Sequence, residues 1–523
     1  MVTTLGDDDD DVGDDDARAR ARIEALDSPE WTASTNAREV VRQTRVAIPV
    51  SVSALSVRAR DLISVAFVGR ASARDEFAGA ALAVTINNVT GLSLVVGAAS
   101  AVNTLAGRAF GAGDYGKTGR VGRRACASLC AMSVAIGIVW WFCAEMVLFG
   151  ALGQRREIAR AAQRFIRGLA PGLVAYAANA ATQAFLQSQE VTRPQVIGGI
   201  IATAMHAPMC WFLVYPCGLG YVGAAVATSC GTTFALGVNV AYIALRRSAF
   251  RESDEALAAK RDACATLPDD WFEDLFDLDG AKEFLSLALP GIVLMSEWWA
   301  SELLILFAGW LKKDPEIAVA AMSIYQVTNS FAFMIAVGFG VATVTRVSHE
   351  LGAGNGRAAK FSALVALRLI LIVELFVSTT VLFSRHIWGS LFTDDKAVTA
   401  LLSQLMVVLA VYVAFDALCC VSTAALRGCG RQAVAAPVVV FSYYIVGVPS
   451  ALLLGFKTSL GVHGLAIGGL LGTATHAIAM TIMVLRVDWS GEVVRARASH
   501  AVDQLLPSPS VELVVCDGDK HSL

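Results

Sequence analysis

Charge is what this sequence has least of. Only 17% of its 523 residues are Asp, Glu, Lys or Arg, against 55% hydrophobic, and the mean hydropathy is +0.58. A chain so poor in charge cannot clothe a water-facing surface, and it reads as a multi-span helical membrane protein. No basic stripe is present that would follow a phosphate backbone, which excludes nucleic acid as a partner. No phosphate-cradling G-x-x-x-x-G-K-[ST] loop occurs, so ATP is not the direct energy source. The eleven cysteines lack metal-ligand spacing. Cys210, Cys230, Cys419 and Cys420 lie within apolar runs and read as small interior hydrophobes, so no bound cofactor is expected. A cleavable signal is also missing. The start is acidic and polar, and the first span itself is expected to direct the chain to the membrane.

What is present is a succession of apolar segments joined by short polar stretches. Spans are predicted near 46–68, 79–105, 121–150, 164–187, 195–216, 221–246, 284–311, 316–345, 359–384, 397–425, 433–456 and 463–486. The fold class is therefore an all-α membrane protein with twelve transmembrane helices. Residues 1–44, with the runs Asp7–Asp11 and Asp14–Asp16, read as a disordered acidic tail. Residues 45–247 form a first lobe, 248–283 a joint, 284–487 a second lobe and 488–523 a polar tail. The joint ends in an amphipathic piece, 271–284, expected at the membrane interface. Twelve spans put both termini on one side. The joints on that side carry more Lys and Arg, among them Arg120, Arg123, Arg124, Arg246, Arg247, Lys260 and Arg261. That bias predicts cytoplasmic termini.

The two halves align at a constant offset of 241, so that Pro49 falls on Pro290, Asn88 on Asn329 and Gly97 on Gly338. The joint Phe110–Gly113 falls on Leu351–Gly354, and Gly220, Gly223 and Gly231 fall on Gly461, Gly464 and Gly472. Each half holds six spans, an even number, so both enter the membrane in the same direction. They are expected to be related by an axis along the membrane normal, with a site between them near mid-depth.

Charges inside the spans mark that site. Glu297 and Glu302 stand in the apolar run 285–311, and Asp416 stands in 407–426. A charge at that depth costs at least about 2.5 kcal/mol, so such residues usually face a bundle interior or a wet cavity. Asp61 falls on Glu302 under the repeat, with Arg58 and Arg60 beside it and Arg58 three residues away on the same face. A carboxylate in apolar surroundings titrates up to about 3–5 pH units higher than in water. Such a group can exchange a proton near neutral pH, and its ionised form attracts an organic cation. Competition between proton and cation for one charge is the simplest basis for exchange transport. Trp298, Trp299, Tyr325 and Tyr412 are placed to add cation–π contacts, and Gln326, Asn329 and Asn88 to line the cleft. An intramembrane enzyme would need a nucleophile or metal cluster at the same depth, which His206 alone does not supply. A passive channel would be insensitive to a pH gradient.

Several stretches together resemble the multidrug and toxic compound extrusion (MATE) family, in its eukaryotic, plant-like branch. They are VTGLSLVVGAASAVNTLAGRAFGAG, FLQSQEVTRP, GLGYVGAAVATS, LPGIVLMSEWWASE, VTRVSHELGAGN, LRGCGRQ and YYIVGVP, spread over residues 46–487. The resemblance implies two six-helix lobes meeting in a V-shaped cleft. It implies efflux of organic cations or other metabolites against inward H+ or Na+, with coupling carried by acids that match Glu297, Glu302 and Asp416. It also leaves open a citrate-like organic-anion exporter or a lipid-linked flippase of the same fold. A monomer in the plasma membrane or an organellar membrane such as the vacuole's is expected. The chain departs from the family at Ser64, where prokaryotic members carry an Asp, and at Arg108 and His349 in two cytoplasmic joints.

Overall fold

The computed structural model describes residues 33–151, 153–252 and 278–505. Every regular element among them is helical. Ten helical segments are long and apolar enough to cross a bilayer. In chain order, with the helices Ala33–Ala71 (α1) and Arg156–Gln187 (α4), they give twelve. These are Arg74–Gly111 (α2), Tyr115–Gly150 (α3), Arg193–Val214 (α5), Val222–Arg246 (α6), Gly280–Ala308 (α7), Pro315–Gly352 (α8), Gly356–Ser384 (α9), Lys396–Gly428 (α10), Gln432–Phe456 (α11) and Val462–Leu485 (α12). α1 and α4 stand outside the ten because they are richer in charge: Arg58, Arg60 and Asp61 sit in one, and Arg156, Arg160, Arg164 and Arg167 in the other.

Two boundaries differ from the sequence expectation. α1 begins at Ala33, inside what composition marks as tail. Its first turns are held because Glu39 and Gln43 are buried, the first against Arg346 and the second against the carbonyl of Ser362. The polar segment after 487 likewise forms a helix, Trp489–Leu505 (α13). Trp489 and Val493 are buried, and Glu492 accepts from Arg431 at 2.7 Å, which docks α13 on the α10–α11 joint. Of the amphipathic piece at 271–284, residues 271–277 lie outside the described residues, and from Leu278 it forms the first turn leading into α7.

The repeat is visible in the packing. A Cβ added to Gly97 on α2 would lie 2.6 Å from Cα of Ile292 on α7, and one on Gly338 of α8 would strike Ser51 and Ala47 of α1. These are the same contact twice, because the offset of 241 turns Gly97 into Gly338 and Ser51 into Ile292. Gly111 likewise abuts His349, while Gly352 abuts Arg108. The lobes therefore meet along two equivalent helix pairs, α1 with α8 and α2 with α7, at backbone distance. Only glycine permits so close an approach of helices in a setting without hydrophobic drive.

The seam is fastened at one end. Hydrogen bonds between the lobes run from Gln43–Ser362 and Arg346–Glu39 through Thr104–Arg427 and His349–Ser188 to Ser51–Ile335 and Trp299–Ser93. Among the described residues none occurs beyond Ser51 on α1 or before Ser93 on α2. The lobes are thus tied where the termini lie and untied toward the opposite face.

Candidate functional site

α7 is two helices with a turn between them. Its first part ends at Leu294, Met295 closes a tight turn, and Ser296–Ala308 resumes. Pro290 lies just upstream, where its missing N–H and its ring weaken the regular ladder. The carbonyl of Ser296, at the start of the resumed helix, also accepts from the Tyr444 hydroxyl at 3.0 Å. It also makes Glu297 a first-turn residue, where the partial positive charge of a helix N-terminus favours a carboxylate. This interruption is why an acid can stand in the middle of an apolar span.

Glu297 points into the second lobe. Its Oε2 is 3.4 Å from Nδ1 of His476 on α12, and the side chain is largely enclosed. His476 is oriented by Thr423, 3.3 Å from Nε2, and stands edge-on to the Tyr443 ring with centroids 5.5 Å apart. Cys419 on α10 donates to the carbonyl of Asp416 at 3.0 Å. The donor atoms of Glu297, Cys419 and His476 lie within 4.8 Å of one another, and their N, S and O chemistry is of the kind that suits a borderline-soft divalent ion.

Asp416 is buried at mid-span of α10. Its carboxyl lies near the Asn329 side chain on α8 and in the electrostatic field of Glu297 and Glu374. Tyr412, one turn earlier, meets Tyr325 at a 6.4 Å centroid distance and 72°, and both rings are buried. Tyr412 and Tyr443 line a small pocket with Ala300, Ser301, Leu304 and Gly469. Gln326 donates to the carbonyl of Ser301 at 3.1 Å, which fixes α8 against the lower half of α7. Glu302 is half-buried and lies in the electrostatic field of Arg58 of the first lobe.

The remaining predicted residues have different surroundings. Asp61 is exposed and pairs with Arg58 at 3.3 Å, inside the first lobe and apart from the other acids. Trp298 packs edge-on against Phe333, and Trp299 donates to Ser93 across the seam at 3.1 Å. Asn88 opens a wide-turn stretch, Asn88–Leu92, in α2, and among the described residues no hydrogen bond joins its side chain to the acids. Two residues absent from the sequence reading belong to the cluster. Glu374 on α9 is 1% exposed with both carboxylate oxygens unpartnered, and His476 is the partner of Glu297. Each is a lone polar group in an apolar run, the same signal that marks Asp416.

Charge also closes the fastened end. Arg346 on α8 contacts Glu39 of α1, Glu190 of the α4–α5 joint and Glu350. Burial alone would raise the Glu190 carboxyl. His349, Arg42 and Arg346 outweigh it and hold that group down at about 2.

The family model described as MatE matches residues 49–212 and again 288–453, one match per lobe. The chain belongs to the MATE family. It is a multi-pass transporter, not an enzyme. Protein DETOXIFICATION 16 of Arabidopsis thaliana is 31% identical over 486 residues, covering 91% of this chain and 92% of the relative. Protein DETOXIFICATION 36 from the same plant is 32% identical, covering 84% and 83%. Among solved structures, the eukaryotic MATE transporter AtDTX14 superposes with a TM-score of 0.79 at 28% identity, covering 89% of this chain and 99% of the other. An outward-facing multidrug resistance MATE transporter gives 0.75 at 18% identity, which is a likeness of fold.

Proposed function

We propose that this MATE transporter is a secondary-active antiporter that exports organic cations, xenobiotics or secondary metabolites in exchange for H+ or Na+. The observation that carries the reading is the set of enclosed acids in the second lobe, Glu297, Glu302, Glu374 and Asp416, beside a cavity walled by tyrosines. An acid held among apolar groups binds a proton or a cation but not both, so its occupancy can couple one flux to the other. The DETOXIFICATION names of the plant relatives are in line with efflux. With the termini cytoplasmic, the fastened end of the seam faces the cytoplasm and the cleft opens outward. Rocking of the lobes would then break the Arg346 ties and expose the acids to the cell interior. We read the protein as a monomer of the plasma or vacuolar membrane.

The test is proton-driven uptake of a fluorescent cation into inverted vesicles, with expression checked by quantitative immunoblot. Glu302→Gln and Asp416→Asn are expected to abolish gradient-driven uptake while the protein still reaches the membrane. Wild-type rates in both variants would overturn the assignment. Parallel H+ and Na+ gradients identify the coupling ion. A second reading, export of organic anions, is favoured by Arg58 and Arg60 on α1.

A further inference from the structure

Arg60 is the least compensated charge among the described residues of the first lobe. It is 7% exposed, it lies at mid-span of α1, and its Nε and Nη1 make no hydrogen bond. Among the described residues no carboxylate stands within ion-pair distance. Asp61 is its neighbour in the chain, but Asp61 is exposed and bonded to Arg58. A guanidinium withdrawn from water persists when something negative completes it.

A second orphan donor stands beside it. His206 on α5 is 1% exposed and its Nδ1 has no partner. The other ring nitrogen, Nε2, lies 2.8 Å from the Ser64 hydroxyl. When Ser64 donates to Nε2, the ring hydrogen sits on Nδ1, which is then a free donor. Both orphan groups converge on Gly231 of α6. A Cβ built there would lie 3.1 Å from Arg60 Nη1 and 3.8 Å from His206 Nδ1. The absence of a side chain at 231 is what lets the two donors approach one place.

The repeat gives independent support. Adding 241 to Arg60 and His206 gives Ser301 and Gly447, and both line the small pocket in the second lobe. The fold leaves an opening at this position in one half. In the other half the same position holds two unpartnered nitrogen groups. At this position the second lobe presents apolar side chains, a serine and two tyrosines, whereas the first presents a guanidinium and an imidazole.

We propose that Arg60 and His206 form an anion subsite inside the first lobe that takes a single negative group, the carboxylate of a cargo molecule or a free halide. A cargo carrying both a cationic and a carboxylate end would engage both lobes. The subsite as an anion site stands apart from the coupling role of the acids, whereas its use by cargo rests on the exporter reading above.

The experiment reads binding alone. The purified full-length chain in detergent, in a low-salt sulfonate buffer, is melted with increasing benzoate, chloride or, as a cation control, tetraethylammonium. Wild-type protein is expected to gain several degrees with benzoate, chloride or both, since a ligand of the folded state stabilises it in proportion to its occupancy. Arg60→Gln and His206→Asn should weaken that response about tenfold or more, the effect of losing a charge-assisted hydrogen bond. Arg74→Gln, an exposed site, controls for net charge and should respond as wild type. Arg60→Gln should melt no lower than wild type in the same buffer without added benzoate or chloride, because it removes an uncompensated charge. That guards against a folding defect. A benzoate response identifies the carboxylate source, and a chloride response alone identifies a halide. Absence of any anion response in the wild type, or an undiminished response in Arg60→Gln, would overturn the proposal. Neither result touches the coupling acids.

Discussion

Arg346 on α8 grips Glu39 on α1 through two parallel hydrogen bonds of 3.1 Å each, and both side chains are more than nine-tenths buried. The pair spans the divide between the lobes, from one homologous half to the other. Breaking a buried pair by removing one partner costs about 3–5 kcal/mol, because the remaining charge is stranded. Here Glu190 and Glu350 stay near Arg346, so Glu39→Gln is expected at the lower end, about 3 kcal/mol. Thermal melting of the purified protein checks the size. A double-mutant cycle with Arg346→Gln should show strong coupling between the two positions, and additive losses would contradict the tie.

Glu190 makes the same end sensitive to acid. Its folded value of about 2 lies below that of an ordinary carboxylate, near 4.5. A depressed carboxyl contributes stability that is fully present above the unfolded value and is lost as pH falls through the folded one. The melting difference between wild type and Glu190→Gln should therefore be constant from neutral pH down to about pH 5 and shrink between about 4.5 and 2. A difference that grows on acidification would reverse the sign of the argument.

The glycine seam predicts a steric block. Gly338→Leu drives a side chain into the Ala47 carbonyl and Ser51. Overpacking of this kind typically costs about 1–3 kcal/mol. The expected phenotype is a protein that folds, with transport strongly reduced because the lobes can no longer meet. Gly237→Ala, where nothing lies within 4 Å, is the matched control and should transport normally. Equal activity of the two variants would dismiss the seam as a moving contact.

Glu374 separates stability from function. Its carboxylate oxygens are buried without partners, so Glu374→Gln removes a group that is expensive to desolvate. Melting should be unchanged or rise, by up to about 1 kcal/mol in stability. Transport should fall, because Glu374 contributes to the field around Asp416. A large loss of stability with intact transport would assign the residue a structural role.

Much of this was legible in the sequence, for physical reasons. The spans follow from hydropathy, since in a bilayer the backbone must satisfy itself within helices. The offset of 241 follows from matching residues in the two halves, and it reappears as paired backbone contacts at Gly97 and Gly338. Asp416 and Glu297 announce themselves as charges in apolar runs. The Arg346 ties were not legible, because Glu39 sits in a polar stretch whose composition resembles a tail. Only the partner on α8, 307 residues away, makes helix of it. Glu374 carried the same mark as Asp416, but no tyrosine or tryptophan one turn away drew attention to it. The break at Met295 was half legible: Pro290 warns of an irregular turn, but the turn falls five residues later.

Gly97 and Gly338 also bear on how two bodies of this size can move at all. Interlocked side chains would have to unlock and repack at each stroke, and every cycle would climb that barrier. Bare backbone touching bare backbone presents almost no teeth. Such a junction behaves as a bearing, on which each half can roll while its own interior stays rigid, and the speed of the cycle is then left to the charges that clasp and release at one rim.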